Sequence, residues 1–128
     1  MVITSSSERE VVDITRQVEG GVDIKNGICV VTILHTTAAI TTADMDPGTD
    51  LDFLDFLNSL IPEISWRHPH DPGHAPAHLL SSIIGSSVSI PVVEGQLQLG
   101  TWQRIVLVEL DGPKDRNVNV VSIGKKVE

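Results

Sequence analysis

Four of the five histidines in this chain fall within eleven residues: His68, His70, His74 and His78. The stretch is broken by Pro69, Pro72 and Pro76, and the fifth histidine, His35, ends an apolar run that begins at Ile28. Imidazole ligates transition metals and moves protons near neutral pH. The spacing His70-x3-His74-x3-His78 would stack three rings on one helix face, but Pro72 and Pro76 exclude one continuous helix. The residues therefore predict a loop carrying His70 and His74, with His78 in the first turn of the helix that follows. A helix start disfavours the imidazolium, and neutral imidazole is the form that binds metal. His70, His74 and His78 are thus expected to hold a divalent metal ion, with zinc the first choice, since three protein ligands and an open position suit catalytic zinc. The plainer reading is that loop histidines such as His68 only cap, turn or hydrogen-bond. His35 is also readable as a hydrogen-bonded core histidine.

A second group of residues suits an anionic ligand. The helix start at Pro76–His78 offers free backbone N–H groups. Ser81 and Ser82 add hydroxyls one turn on, and Thr36, Thr37, Thr41 and Thr42 add more. Arg104, Lys114 and Arg116 are cations near strands or turns. Together these residues point to a small phosphorylated metabolite as the ligand. Glycine-rich dinucleotide and P-loop patterns are absent from the sequence, as is a Gly-x-Ser-x-Gly elbow.

The elements that must position these groups are legible in outline. Residues 2–4 and 10–14 read as short strands, and residues 14–22 as one or two helical turns ended by Gly20-Gly21. Asn26-Gly27 reads as a turn before a strand over 28–35 that is apolar on both faces, hence central. Extended structure is expected to continue through Thr36–Thr42 until Asp46-Pro47-Gly48 breaks it. Thr49 is the expected N-cap of a helix that Pro62 ends, with Leu54, Leu57 and Ile61 on its apolar face. Residues 63–75 form a long loop, of the kind that is usually functional. Pro76 suits the start of a second helix, which Gly85 closes. Strands are expected at 87–93, with Pro91 marking an edge or a bulge, at 102–110 and at 117–123. Many strands, two main helices and no regular strand–helix alternation predict an α+β fold with a largely antiparallel sheet.

Composition sets the class. At 128 residues and 41% hydrophobic, the chain suits a single domain over residues 1–128. Four aromatics and no tyrosine leave the core to Val, Ile and Leu. A net charge of −8 argues against nucleic-acid or anionic-membrane partners, which call for a cationic surface. No run of 18 apolar residues occurs to span a membrane. Cys29 stands alone inside an apolar run and reads as a small buried residue. With no secretory-type apolar region near the start, a cytoplasmic location is expected.

Five motifs occur in order: His35-Thr-Thr-Ala-Ala-Ile-Thr41, His78-Leu-Leu-Ser-Ser-Ile-Ile-Gly85, Ile90-Pro-Val, Leu99-Gly-Thr-Trp-Gln103 and Glu109-Leu-Asp-Gly-Pro113 followed by Arg116. In that combination the chain resembles the YjbQ-like family over nearly its whole length. The resemblance implies an α+β domain that assembles as a homotrimer. It also implies an activity, secondary thiamine-phosphate synthase, which joins a pyrimidine diphosphate to a thiazole phosphate and releases pyrophosphate. The site residues it implies are His35, His70, His78, Thr101, Trp102, Gln103, Glu109 and Arg116. Where the family often carries Asn-Glu after its first motif, this chain has Ala43-Asp44. In a synthase-like reaction Arg116 and a divalent metal would stabilise the departing pyrophosphate. In a metal-dependent hydrolase Glu109 or Asp44 would be the base. A third alternative is a trimeric metal- or ligand-binding protein that is not an enzyme.

Overall fold

Alternation of apolar and polar residues decides which way the long strands face. The computed structural model describes residues 1–126. In chain order the elements are β1 (Val2–Thr4), β2 (Glu10–Asp13), α1 (Thr15–Gly20), β3 (Ile24–Ile33), β4 (Ala38–Ala43) and α2 (Thr49–Ser59). A 3-10 turn (Pro72–His74) leads into α3 (Ala75–Ile84), followed by β5 (Ser87–Val93), β6 (Gln96–Leu97), β7 (Arg104–Glu109) and β8 (Asp115–Lys126). One sheet has the order β1-β8-β3-β5-β6 and the other β2-β7-β4. Every pairing is antiparallel. The expected α+β fold is observed, with two substantial helices and the short α1.

The core lies between the sheets. β3 sends Cys29, Val31 and Ile33 inward, and they meet Ile40, Ile105 and Leu107 from the other sheet. On the opposite face of β7, Val106 and Val108 pack with Leu57 of α2 and with Ala77 and Leu80 of α3. β7 is therefore buried on both faces, which explains its unbroken aliphatic run. Burying each such side chain contributes roughly 1.5–3 kcal/mol.

Three boundaries differ from the sequence reading. Asn26-Gly27 is not a turn but lies within β3. Gly27 sits opposite Gly124, with φ of +151° and +152°. A Cβ on Gly27 would stand 2.1 Å from the Ile123 carbonyl oxygen, so the two backbones approach only because both positions lack side chains. Second, the extended run does not continue through His35. β3 ends at Ile33, residues 34–37 cross from one sheet to the other, and β4 begins anew at Ala38. Third, Gly48, with φ of +92°, takes the N-cap position expected for Thr49.

Candidate functional site

The crossover of residues 34–37 carries His35 and accepts a hydrogen bond from His78. Leu34 donates its N–H to the Asn117 carbonyl at 3.1 Å. The Asn117 N–H in turn donates to His35 Nε2 at 2.9 Å. His35 therefore carries its proton on Nδ1 when neutral. Partial burial, then the nearby Arg116 charge and that of Lys114, hold its pKa below the usual histidine value against the opposing pull of Glu109. His35 is a neutral group with an Nδ1–H donor.

His78 approaches from α3. That helix packs on β4, with Ala77, Leu80 and Ser81 buried, and Ser81 Oγ donates to the Ala38 carbonyl at 2.6 Å. His78 Nδ1 lies 3.0 Å from the Thr36 carbonyl. A carbonyl only accepts, so Nδ1 bears the hydrogen, and in the neutral ring the lone pair is on Nε2. His68 repeats the arrangement, with Nδ1 2.9 Å from the Asp71 carbonyl. The rings of His68 and His78 lie 4.7 Å apart between centroids and are tilted by 34°. His68 is thus placed at the site although its sequence context suggested only a loop role. Its separation from His78 follows no helix or strand period, and the crowding of four histidines into eleven residues is the sequence signal that includes it.

His35 and Thr36 line a depression of about 400 Å³ together with Ser81, Ser82 and Ser86. Ser82 Oγ donates to the His78 carbonyl at 3.1 Å. Neither lysine nor arginine lines this depression.

The expected metal trio is not assembled. His70 is exposed, in a left-handed conformation with φ of +70°. His74 Nε2 faces two carboxylates, Asp71 Oδ2 at 3.3 Å and Asp111 Oδ1 at 3.7 Å. Among the described residues no three His, Cys, Asp or Glu side chains converge as a metal-holding group. The reason is local: the turns at Pro69 and Pro72 send the rings in different directions, so regular spacing in sequence gives no common face. The donors that do face each other are His68 and His78. Each has its Nδ1–H committed to a carbonyl, the outer-shell arrangement common around metal-bound imidazole.

Glu109 and Arg116 are placed differently from the reading that made them base and pyrophosphate clamp. Both are buried, at 0% and 2% exposure. Arg116 Nε donates to Glu109 Oε1 at 2.9 Å, and Nη2 bonds Oε2. Nη2 also donates to the carbonyl and the Oγ1 of Thr37, at 3.0 and 2.9 Å. Glu109 further accepts from Ser5 Oγ and from the N–H groups of Leu110 and Asp111. Burial alone would raise its pKa, but Arg116, Ser5 and the backbone donors outweigh burial and hold it below the usual range. A carboxylate so fully hydrogen-bonded is a poor proton acceptor. Thr37, itself buried, spends its hydroxyl on Arg116.

Asp44 and the segment Thr101–Gln103 lie elsewhere. β4 pairs with β7 so that Ala38 opposes Glu109 at the His35 end and Ala43 opposes Arg104 at the other. Five residue steps at about 3.3 Å place the two ends roughly 17 Å apart. At the far end Asp44, Thr101 and Trp102 line a shallow hollow with Asp13 and Arg104. Trp102 is 68% exposed. Gln103 accepts from the Gly100 N–H and donates to Thr42 Oγ1. Within one chain these residues do not meet the histidines.

The sequence profile of the UPF0047 protein YjbQ-like family matches residues 1–125. The chain belongs to that family. A UPF0047 protein of Archaeoglobus fulgidus is 37% identical over 124 residues, covering 96% of this chain and 98% of its own. One from Methanocaldococcus jannaschii is 39% identical over 128 residues, covering 97% and 92%. Among solved structures, a YbjQ-like protein of unknown function from Sulfolobus solfataricus superposes with a TM-score of 0.91 at 40% identity, covering 98% of this chain and 94% of that one. An uncharacterised YjbQ/UPF0047 protein from Clostridium acetobutylicum gives 0.87 at 38% identity, covering 96% and 98%. The YjbQ-like fold expected from the five motifs is therefore established.

Proposed function

We propose that this YjbQ-like protein is an enzyme that uses His35 and His78 for proton transfer on a small phosphorylated molecule. One observation carries the reading: two imidazoles are fixed in complementary roles at one crossover, His35 lining the depression and His78 bonded to Thr36, which also lines it. His35 presents a donor at Nδ1–H and His78 an acceptor at Nε2. Positioned acid–base pairs of this kind contribute about 10²–10⁴-fold to a rate. Thr36, Ser82 and Ser86 supply hydroxyls for a polar ligand. Because no lysine or arginine lines the depression, the charge that meets a phosphate comes from imidazolium or from a cation the imidazoles hold. The His68–His78 ring pair supports the second of these. A divalent ion, zinc first, would then be held by the two Nε2 atoms and would supply positive charge against phosphate oxygens, with His78 a ligand and not the proton acceptor in that state.

The first reaction to test is the synthase-like transfer. The thiazole nitrogen forms a bond to the pyrimidine methylene carbon as the carbon–oxygen bond breaks and pyrophosphate leaves. Wild-type protein is incubated with both phosphorylated partners, with and without zinc, and pyrophosphate release is followed. Release that His35→Ala and His78→Ala both abolish supports the reading. Hydrolysis of simple phosphoesters without coupling favours the metal-dependent hydrolase. No turnover of either kind, with metal bound, favours a binding protein.

The chain is further proposed to work as a cytoplasmic homotrimer. Ile28 and Ile123 are cross-strand partners on the outer face of the larger sheet, 47% and 65% exposed, with Val121 beside them at 48%. An exposed apolar strip on a sheet face suits an interface between subunits. Sedimentation of a species three times 13.8 kDa supports the trimer, and a folded monomer at micromolar concentration overturns it.

A further inference from the structure

We propose that the buried Glu109–Arg116 pair is a positioning device that holds His35 and His78 in their Nδ1–H tautomers. The proposal rests on the acid–base reading of those two imidazoles, but concerns residues that touch neither ring.

Hydrogen bonds and chain connections run outward from the pair to both histidines' backbone partners. Glu109 is anchored by Ser5 Oγ at 2.6 Å and by the N–H groups of Leu110 and Asp111 at 3.0 and 3.1 Å. It fixes Arg116 through both Nε and Nη2. Arg116 reaches across to the Thr37 carbonyl and hydroxyl. The Thr37 carbonyl also accepts the Leu110 N–H at 3.2 Å, so Thr37 is tied to residues on both sides of the pair. Thr37 follows Thr36, whose carbonyl orients His78. Asn117 follows Arg116, and its backbone orients His35 while accepting from Leu34. Arg116–Asn117 therefore grips the crossover of residues 34–37 at Leu34, His35 and Thr37.

The residue types suit this task. A guanidinium is a planar fork with five donors, able to hold a carboxylate and a carbonyl together. Lysine has a single nitrogen and cannot reproduce that geometry. The pair is sealed from solvent, which makes it a poor direct partner for a ligand and a rigid one for the backbone. The tautomers matter because they decide which nitrogen is the donor and which the acceptor. If residues 34–37 loosened, each ring would sample Nε2–H, and the donor–acceptor arrangement would be lost.

The test reads tautomers directly, without substrate or metal. Nitrogen-15 chemical shifts of both histidine rings are recorded at a pH where they are neutral. The wild type is compared with Thr37→Val, which removes only the hydroxyl link, with Thr37→Ser, which keeps it, and with Arg116→Lys. The expected result is one Nδ1–H form for His35 and His78 in the wild type and Thr37→Ser. Averaging of the Nδ1 and Nε2 shifts is expected in Thr37→Val and, more strongly, in Arg116→Lys. Folding is checked by the core methyl spectrum, and Arg116→Lys decides if Thr37→Val does not fold. Folded variants that keep both rings wholly in the Nδ1–H form overturn the proposal and leave the pair a structural ion pair. Full turnover by His35→Ala would instead overturn the acid–base reading alone, since the shifts report positioning whatever the rings do.

Discussion

The Nδ1–H of His78 donates to the backbone carbonyl of Thr36 at 3.0 Å. A helix residue is thereby oriented by the segment that links the two sheets, although 42 positions separate the partners in sequence. The bond occupies Nδ1 and leaves Nε2 for chemistry, which leads to the first expected outcome. His78→Ala should abolish the proposed turnover, by at least about 100-fold. The ring is only partly buried, so stability should change by no more than about 1 kcal/mol. Steady-state kinetics and urea denaturation on the same preparation check both statements.

Glu109→Gln should act on folding. Removing one partner of a buried pair leaves Arg116 uncompensated, at a cost of about 3–5 kcal/mol. The double variant Glu109→Gln, Arg116→Met should recover part of that loss because no buried charge is left unpaired. Chemical denaturation of the two variants against the wild type gives the comparison. A Glu109→Gln variant as stable as the wild type would overturn the buried-pair account.

Stability should fall on the acid side in two stages. His35 has its pKa lowered in the fold by partial burial and by the Arg116 charge. The unfolded chain therefore takes up a proton first, so stability is full above about pH 6.5 and declines as pH falls through the folded value. Glu109 is lowered as well, with burial outweighed by Arg116 and its other donors. Its contribution is present above the ordinary glutamate range and is lost as pH falls through the folded value. Melting temperature as a function of pH should show both declines, and His35→Gln should remove the upper one.

Zinc uptake should depend on His68 and His78 and not on His74. The first two rings face each other with Nδ1–H groups committed to carbonyls. His74 lies between Asp71 and Asp111. Elemental analysis after zinc loading should show loss of metal in His68→Ala and His78→Ala and retention in His74→Ala. Retention in His68→Ala with loss in His74→Ala would restore the trio expected from spacing.

Gly27→Ala should be strongly destabilising despite its small size. Its Cβ would meet the Ile123 carbonyl oxygen at 2.1 Å, in a conformation with φ of +151°. Backbone strain of this kind costs about 1–3 kcal/mol, before any loss of β3–β8 pairing. Thermal melting of Gly27→Ala beside an alanine at exposed Gly20, where a Cβ meets nothing within 4 Å, isolates the effect.

The sequence by itself determined the family and most of the elements. Strand alternation, the Gly85 stop, the proline-broken loop and the five ordered motifs are local signals, and local signals survive without tertiary context. It also marked His35, His78, Thr36, Ser81 and Ser82, which the fold gathers around one crossover. Only the tertiary structure decided which histidines meet. His68 replaced His70 and His74 beside His78 because loop backbone angles, not spacing, aim the rings. Only the register of β4 on β7 separated Trp102 from His35, since a motif records order along the chain and not distance across a sheet. The roles of Glu109 and Arg116 also rested on packing. The same charged types serve as base and clamp when open to a ligand, and as a buried brace when they bond to each other, to Ser5, to Thr37 and to the backbone.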